Sequence, residues 1–203
     1  RSTIYARNDA HPSSYIDDDA KISNAFVAEG CEVYGTVKHS VVSVGCYIVS
    51  GQKMKNVRGT YELTSYTRTN GKTNATTNYM ETIGYKAYLV VTGNGTGYYI
   101  FTDNSHAPNY RTISLRYEYN QEDSSKVDYV YYRIEGETEE EKLGVTRDNL
   151  NFSRPAIKFS ETIYSDGLSK SWKKVDKALD MSYAESQFGT LVEYSTLQEN
   201  VEE

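Results

Sequence analysis

Cysteine is nearly absent from this chain, with Cys31 and Cys46 the only two in 203 residues. Two are too few for a disulfide framework, and neither falls in a Cys-x-x-Cys or metal-like spacing, so compartment stays undecided by cysteine usage and no metal is expected. Histidine is scarce too. His11, His39 and His106 stand in three separate segments, none near a serine or cysteine in a nucleophile pattern. No catalytic residue is therefore expected, no cofactor is called for, and the chain reads as a non-enzyme. A surplus of basic charge is also lacking, because 22 Lys and Arg face 28 Asp and Glu for a formal charge of -6. With no basic face to displace counterions from a phosphate backbone, nucleic acid is excluded as an expected partner. No apolar run approaches the roughly 18 residues that span a bilayer, so no transmembrane span is expected. The chain opens on Arg1 rather than Met, which reads as a processed or truncated product.

Against those shortages stand twenty tyrosines. A core built largely from rings that each carry a hydroxyl favours sheets over helix bundles. A body of about 150 residues is long enough to bury roughly 70% of its unfolded surface, and two segments of different character share the chain.

The first segment, residues 1–57, begins with a polar lead-in whose acidic triplet Asp17, Asp18 and Asp19 reads as a solvated turn. From Ile22 the chain repeats at fifteen residues, with Val27 matching Val42, Gly30 matching Gly45 and Cys31 matching Cys46. Short β pieces with glycine at the corners, repeating at a fixed interval, are what a β-solenoid stacks like over like. The two cysteines then read as stacked small hydrophobes, with a disulfide or a reactive thiol as the alternatives. With Ile4-Tyr5, Pro12, the Gly-Cys-x-Val/Ile pairs, Gly35-Thr36-Val37 and Ile48-x-x-Gly51, this segment resembles the left-handed β-helix tail of bacterial ADP-glucose pyrophosphorylases, closest to their glycogen-biosynthesis regulatory subunit. The resemblance implies a hexapeptide-like fold piece and a protein partner met through residues 1–57. It implies no activity, since the nucleotidyltransferase domain of that family is absent. Val42-Ser-Val-Gly-Cys46 also ends like a lipoprotein signal, but Thr36, Lys38 and His39 interrupt the apolar run such a signal needs.

The second segment, residues 58–190, alternates like the wall of an antiparallel barrel. Arg58 to Arg68 places Tyr61, Leu63 and Ser65 on one side and Glu62, Thr64 and Tyr66 on the other. Tyr85 to Val91 and Tyr98 to Thr102 form a hairpin around Gly93-Asn-Gly-Thr-Gly97, and Ile113 to Tyr119 pairs with Lys126 to Ile134. Gly136 to Glu141 reads as a solvated acidic loop with no lysine or histidine nearby. Short strands at 143–145, 150–152, 157–159, 162–164 and 169–175 suggest closure into a barrel, followed by a helix over 178–188 carrying Leu179, Ala184 and Phe188 on one face. Residues 191–203 read as an acidic, fraying tail.

Gly59-x-Tyr61, the successive hairpins and the late strand Ser171-Trp-Lys-Lys-Val175 resemble the lipocalin-like domains of bacterial envelope lipoproteins. The fold expected is therefore all-β: a lipocalin-like barrel with a short C-terminal helix, preceded by a short β-solenoid-like segment. The resemblance implies a binding module for a small apolar or amphipathic molecule in the cell envelope or outside the cell. Tyr61, Leu63, Leu115, Tyr117, Tyr129 and Trp172 are the expected cavity walls, the alternative being a filled barrel in which the same rings pack on each other. A second reading, a fragment or fusion related to the ADP-glucose pyrophosphorylase regulatory subunit, places the chain in the cytoplasm, docked on a larger enzyme.

Overall fold

In the computed structural model of the protein, the described residues are 13–16, 20–33, 35–44, 46–48, 57–123 and 126–199. The chain divides into two units, Arg1–Lys53 and Met54–Glu203. The motif positions Ile4, Tyr5, Pro12, Gly45 and Gly51 and the triplet Asp17, Asp18 and Asp19 lie outside the described residues.

The first unit carries seven short strands: β1 (Tyr15–Ile16), β2 (Lys21–Ser23), β3 (Phe26–Val27), β4 (Glu32–Val33), β5 (Thr36–Lys38), β6 (Val41–Val42) and β7 (Tyr47–Ile48). All pair in parallel, β1 with β4 and β4 with β7, β2 with β5, and β3 with β6. Lys21 lies opposite Thr36, Phe26 opposite Val41 and Glu32 opposite Tyr47, so the fifteen-residue sequence interval is the pairing register. Asn24 and His39, also fifteen apart, share a left-handed corner at φ 48°, a conformation that asparagine and histidine tolerate better than most residues. The small interior holds Cys31, Val33, Val37 and Val42, with Ala20, Ala25, Val27 and Cys46 against them. Both cysteines are free, and the Cys31 thiol donates to the Ser43 carbonyl at 2.9 Å.

The second unit continues with β8 (Gly59–Thr69), β9 (Thr76–Asn78), α1 (Tyr79–Thr82), β10 (Lys86–Val91), β11 (Thr96–Thr102), β12 (Asn109–Tyr119), β13 (Val127–Ile134), β14 (Glu141–Thr146), β15 (Asn149–Arg154), β16 (Ile157–Lys158), β17 (Tyr164–Ser165), β18 (Gly167–Asp176), α2 (Ser182–Phe188), β19 (Val192–Glu193) and α3 (Tyr194–Glu199). Eight of these strands close a barrel in the order β8, β10, β11, β12, β13, β14, β15, β18 and back to β8, every neighbour antiparallel. Closure leaves no long unpaired edge inside the ring. The β10–β11 hairpin turns through 92–95, with Gly95 at φ 80°. On β11, a Cβ at Gly97 would stand 2.1 Å from the Val90 carbonyl oxygen, so only glycine lets the two strands approach there.

Alternation fills the inside. Tyr61, Leu63, Leu89, Val91, Tyr99, Ile113, Leu115, Val130, Tyr132, Leu143, Leu150 and Trp172 make one buried cluster. Outside the wall, Tyr88, Val90 and Ile100 pack against Ala184, Tyr183 and Phe188 of α2. That helix starts at Ser182 rather than at 178, because the Asp180 carboxylate accepts the Ser182 backbone N–H and hydroxyl and so marks its first turn. Leu179 therefore precedes the helix and is exposed. The segment read as a fraying tail is structured as far as Glu199: β19 adds in parallel to β12, and α3 follows it.

Candidate functional site

The two ends of the barrel are built from the same residue types and finish differently. At the base, where β8 begins and the β10–β11 turn lies, rings seal the interior. The Tyr61 hydroxyl donates to the Val57 carbonyl at 3.0 Å, and the Tyr117 hydroxyl donates to the Thr92 carbonyl. Burial pushes both phenols well above the usual tyrosine range, Asp148 adding to the effect at Tyr61. Burial lowers Lys174, with Asp148 opposing, and its ammonium stands 5.4 Å from the centre of the Tyr61 ring.

The opposite end owes its character to one inserted residue. Leu63 lies opposite Trp172 and Ser65 opposite Ser171, which leaves Thr64 with no residue opposite it in the β18 register. Such a bulge shifts the alternation by one position. Tyr66 consequently turns inward and faces Lys170, which shares its side of β18 with Trp172. The Lys170 side chain is only 7% exposed, and its ammonium donates to Glu141 at 2.8 Å. The second oxygen of Glu141 accepts from the Tyr132 hydroxyl. A buried ammonium needs such a partner, because an unpaired charge at this depth costs several kcal/mol, on the order of 3–5 when one member of a pair is removed.

Around that pair lies an open pocket of about 280 Å³, lined by rings of Tyr66, Tyr85, Tyr99, Phe101, Tyr132 and Tyr194 together with Arg111, Glu137, Glu139, Glu141 and Lys170. The rings form a ladder from the interior outward. Tyr132 stacks on Tyr99 at 5.9 Å, the Tyr85 and Tyr99 hydroxyls meet at 2.8 Å, Tyr85 stacks on Phe101 at 5.5 Å, and Phe101 meets Tyr194 of α3 at 5.9 Å. Arg111 donates to Glu137 at 2.8 Å with its guanidinium 4.8 Å from the centre of the Tyr194 ring. Desolvation, reinforced by Glu141, pushes Tyr66 up to about 12, and Tyr85, Tyr99 and Tyr132 are likewise raised by burial. Near neutral pH these phenols remain protonated and serve as hydrogen-bond donors, not as bases.

The six residues expected from sequence to line a cavity lie elsewhere than this pocket. Tyr61, Leu63, Leu115 and Trp172 belong to the buried cluster, with Trp172 fully buried and edge-on to Tyr99 at 5.7 Å. The Trp172 indole N–H has no hydrogen-bond partner among the described residues. Tyr117 packs against the same cluster at the base. Tyr129 neighbours the inward Val130 and carries the Lys142 ammonium 3.8 Å above its ring. Of the lysines on β18, Lys173 is exposed, and the buried one is Lys170.

The acidic stretch differs most from its sequence pattern: its carboxylates are paired, Glu137 with Arg111, Glu140 with Arg116 at 2.6 Å, and Glu141 with Lys170. The cations come from strands 24 to 29 residues away, out of reach of a local reading. The one available signal was a lysine two positions before Trp172, at core parity on its strand. Among the described residues no three His, Cys, Asp or Glu side chains gather as a metal site, and no helix is long and apolar enough to cross a membrane, which says nothing of β-barrels.

Comparison with known proteins touches only part of the chain. A glucose-1-phosphate adenylyltransferase of Thermosipho melanesiensis is 42% identical over 52 residues, 26% of this chain and 13% of that protein. One from Clostridium botulinum is 42% identical over 45 residues, 22% of this chain and 12% of that protein, and one from Clostridium kluyveri is 39% identical over 51 residues. The chain thus spans about 13% of the length of such relatives. No family model matches the chain, and no solved structure matches it.

Proposed function

We propose that the barrel is a lipocalin-like, non-catalytic binding module that takes a small amphipathic molecule at its mouth. The observation that carries this reading is the open pocket of about 280 Å³ walled by six aromatic rings and floored by the Lys170–Glu141 pair. Ligand pockets are mostly apolar with a few convergent polar groups, and volumes of roughly 300–1,000 Å³ are usual, so this one suits a small ligand, not a long lipid. Rings supply contact area, and protonated phenols supply directional hydrogen bonds. Fluorescence titration with the neutral dye prodan tests the reading. One saturable site per chain, weakened by Tyr194→Ala and by Tyr85→Leu, is expected; non-saturable binding, or binding indifferent to both changes, overturns it.

The second reading concerns the first unit. Its support is the 42% identity over 52 residues to glucose-1-phosphate adenylyltransferases, a length close to that of Arg1–Lys53, together with the fifteen-residue parallel register. In this reading residues 1–57 form a short solenoid-like coil that docks on a larger enzyme of glycogen synthesis. Pull-down with the full chain from a glycogen-accumulating bacterium, followed by mass spectrometry, is expected to recover an adenylyltransferase at stoichiometric ratio. Recovery of none overturns it.

A further inference from the structure

The mouth pocket treats its own two cations in one way. The Lys170 ammonium lies 4.9 Å from the centre of the Tyr66 ring and 5.9 Å from that of Tyr99 and is neutralised by Glu141 at 2.8 Å. The Arg111 guanidinium lies 4.8 Å from the centre of the Tyr194 ring and is neutralised by Glu137 at 2.8 Å. Each unit is a positive group held between an aromatic face and a carboxylate. The same pocket contains a third set of these parts. Tyr85 and Phe101 are stacked at 5.5 Å and 14°, and Glu139 contributes a third carboxylate to the lining. Among the described residues neither of those rings has a lysine or arginine over it, the His106 ring meeting Phe101 at 5.9 Å, and Glu139 has no ion pair.

Resting on the binding-module reading above, we propose that the mouth pocket selects small organic cations, an ammonium group carried on a compact apolar body. Two cations against three carboxylates leave the lining one negative charge in excess, so an anionic ligand meets repulsion and a neutral one gains nothing from the charge. A cation that reaches a ring face is attracted by the negative side of its quadrupole, the same sign of preference. The overall charge of -6 adds attraction at longer range. Partial desolvation between the walls strengthens both effects relative to water.

The test compares choline with its uncharged isostere 3,3-dimethylbutan-1-ol by calorimetry and by displacement of prodan from the full chain. Choline is expected to bind about tenfold more tightly than the alcohol, and the exposed Glu139→Gln change to cut that preference by about threefold or more. Phe101→Leu is expected to lower choline affinity more than that of the alcohol. Equal affinities with prodan displaced overturn the cation proposal and leave the amphipathic-pocket reading standing. A preference untouched by Glu139→Gln overturns it as well, since the counter-charge then lies elsewhere. Failure of choline, the alcohol and prodan alike to bind removes both readings together.

Discussion

The base and the mouth of the barrel use the same residue type, tyrosine, to opposite ends. At the base, Tyr61 and Tyr117 spend their hydroxyls on backbone carbonyls of nearby turns, and the rings close the floor over Trp172. At the mouth, Tyr85, Tyr99 and Tyr132 spend theirs on one another and on Glu141, and the space between stays open. The difference lies in what the hydroxyl bonds to. A ring anchored to backbone is a structural plug, whereas a ring anchored to other side chains is part of a network that a ligand group can join.

The largest expected effect comes from alkali, which attacks both ends. Tyr66 is raised to about 12 from an ordinary 10.0, and Tyr61, Tyr85, Tyr99, Tyr117 and Tyr132 are raised also, chiefly by burial. A raised folded-state value means that the unfolded chain loses these protons first, so stability is intact below pH 10 and falls as pH climbs through 10 toward 12 and beyond. Absorbance at 295 nm should show one class of tyrosine titrating near 10 and a second appearing only as far-ultraviolet circular dichroism collapses. Titration of all twenty in a single folded-state step would erase the contrast between buried and exposed rings.

Next in size, Trp172→Ala empties the centre of the plug and is expected to cost about 3–5 kcal/mol by urea denaturation. A loss under about 1 kcal/mol would mean that the base is less tightly filled than its zero exposure indicates. Lys170→Met at the mouth should cost about 2 kcal/mol, less than the loss of a fully buried partner because Glu141 keeps 21% of its side-chain surface in contact with solvent. Pairing it with Glu141→Leu should recover most of that loss, which separates a charge effect from a packing effect. Smallest of all, Tyr194→Ala should change stability by less than about 1 kcal/mol while weakening prodan binding, the sharpest separation of mouth from base.

Much of the wall was legible in the sequence because alternation is a local property. The two hairpins, the strand from Gly59 and the strand around Trp172 follow from runs in which every second residue is apolar or aromatic. The pocket was not legible, since it depends on register. Thr64 gives no sign in the sequence that it is the extra residue of the register, and without that slip Tyr66 falls on the outer face. Glu137, Glu140 and Glu141 read as a solvated loop without partners until two distant strands, β12 and β18, bring a cation to each. Tyr194 sits in a stretch too polar to announce a helix, and it is held by Phe101 and Arg111. Local pattern thus gave the staves of the barrel, while the fit between staves decided what its mouth contains.

The ladder between β8 and β18 has one more consequence, in time. The Thr64 hydroxyl donates to the Ser171 carbonyl across 107 residues, and β8 is the first barrel strand in the chain while β18 is the last. During synthesis β8 can zip to β10 early, but its other edge must wait until residue 176 has left the ribosome. Until then a long tyrosine-rich strand stands with one side open, the stage at which such a chain is most prone to pair with the wrong neighbour. Closure of so distant a pair belongs to the slow class of folding events, milliseconds to seconds.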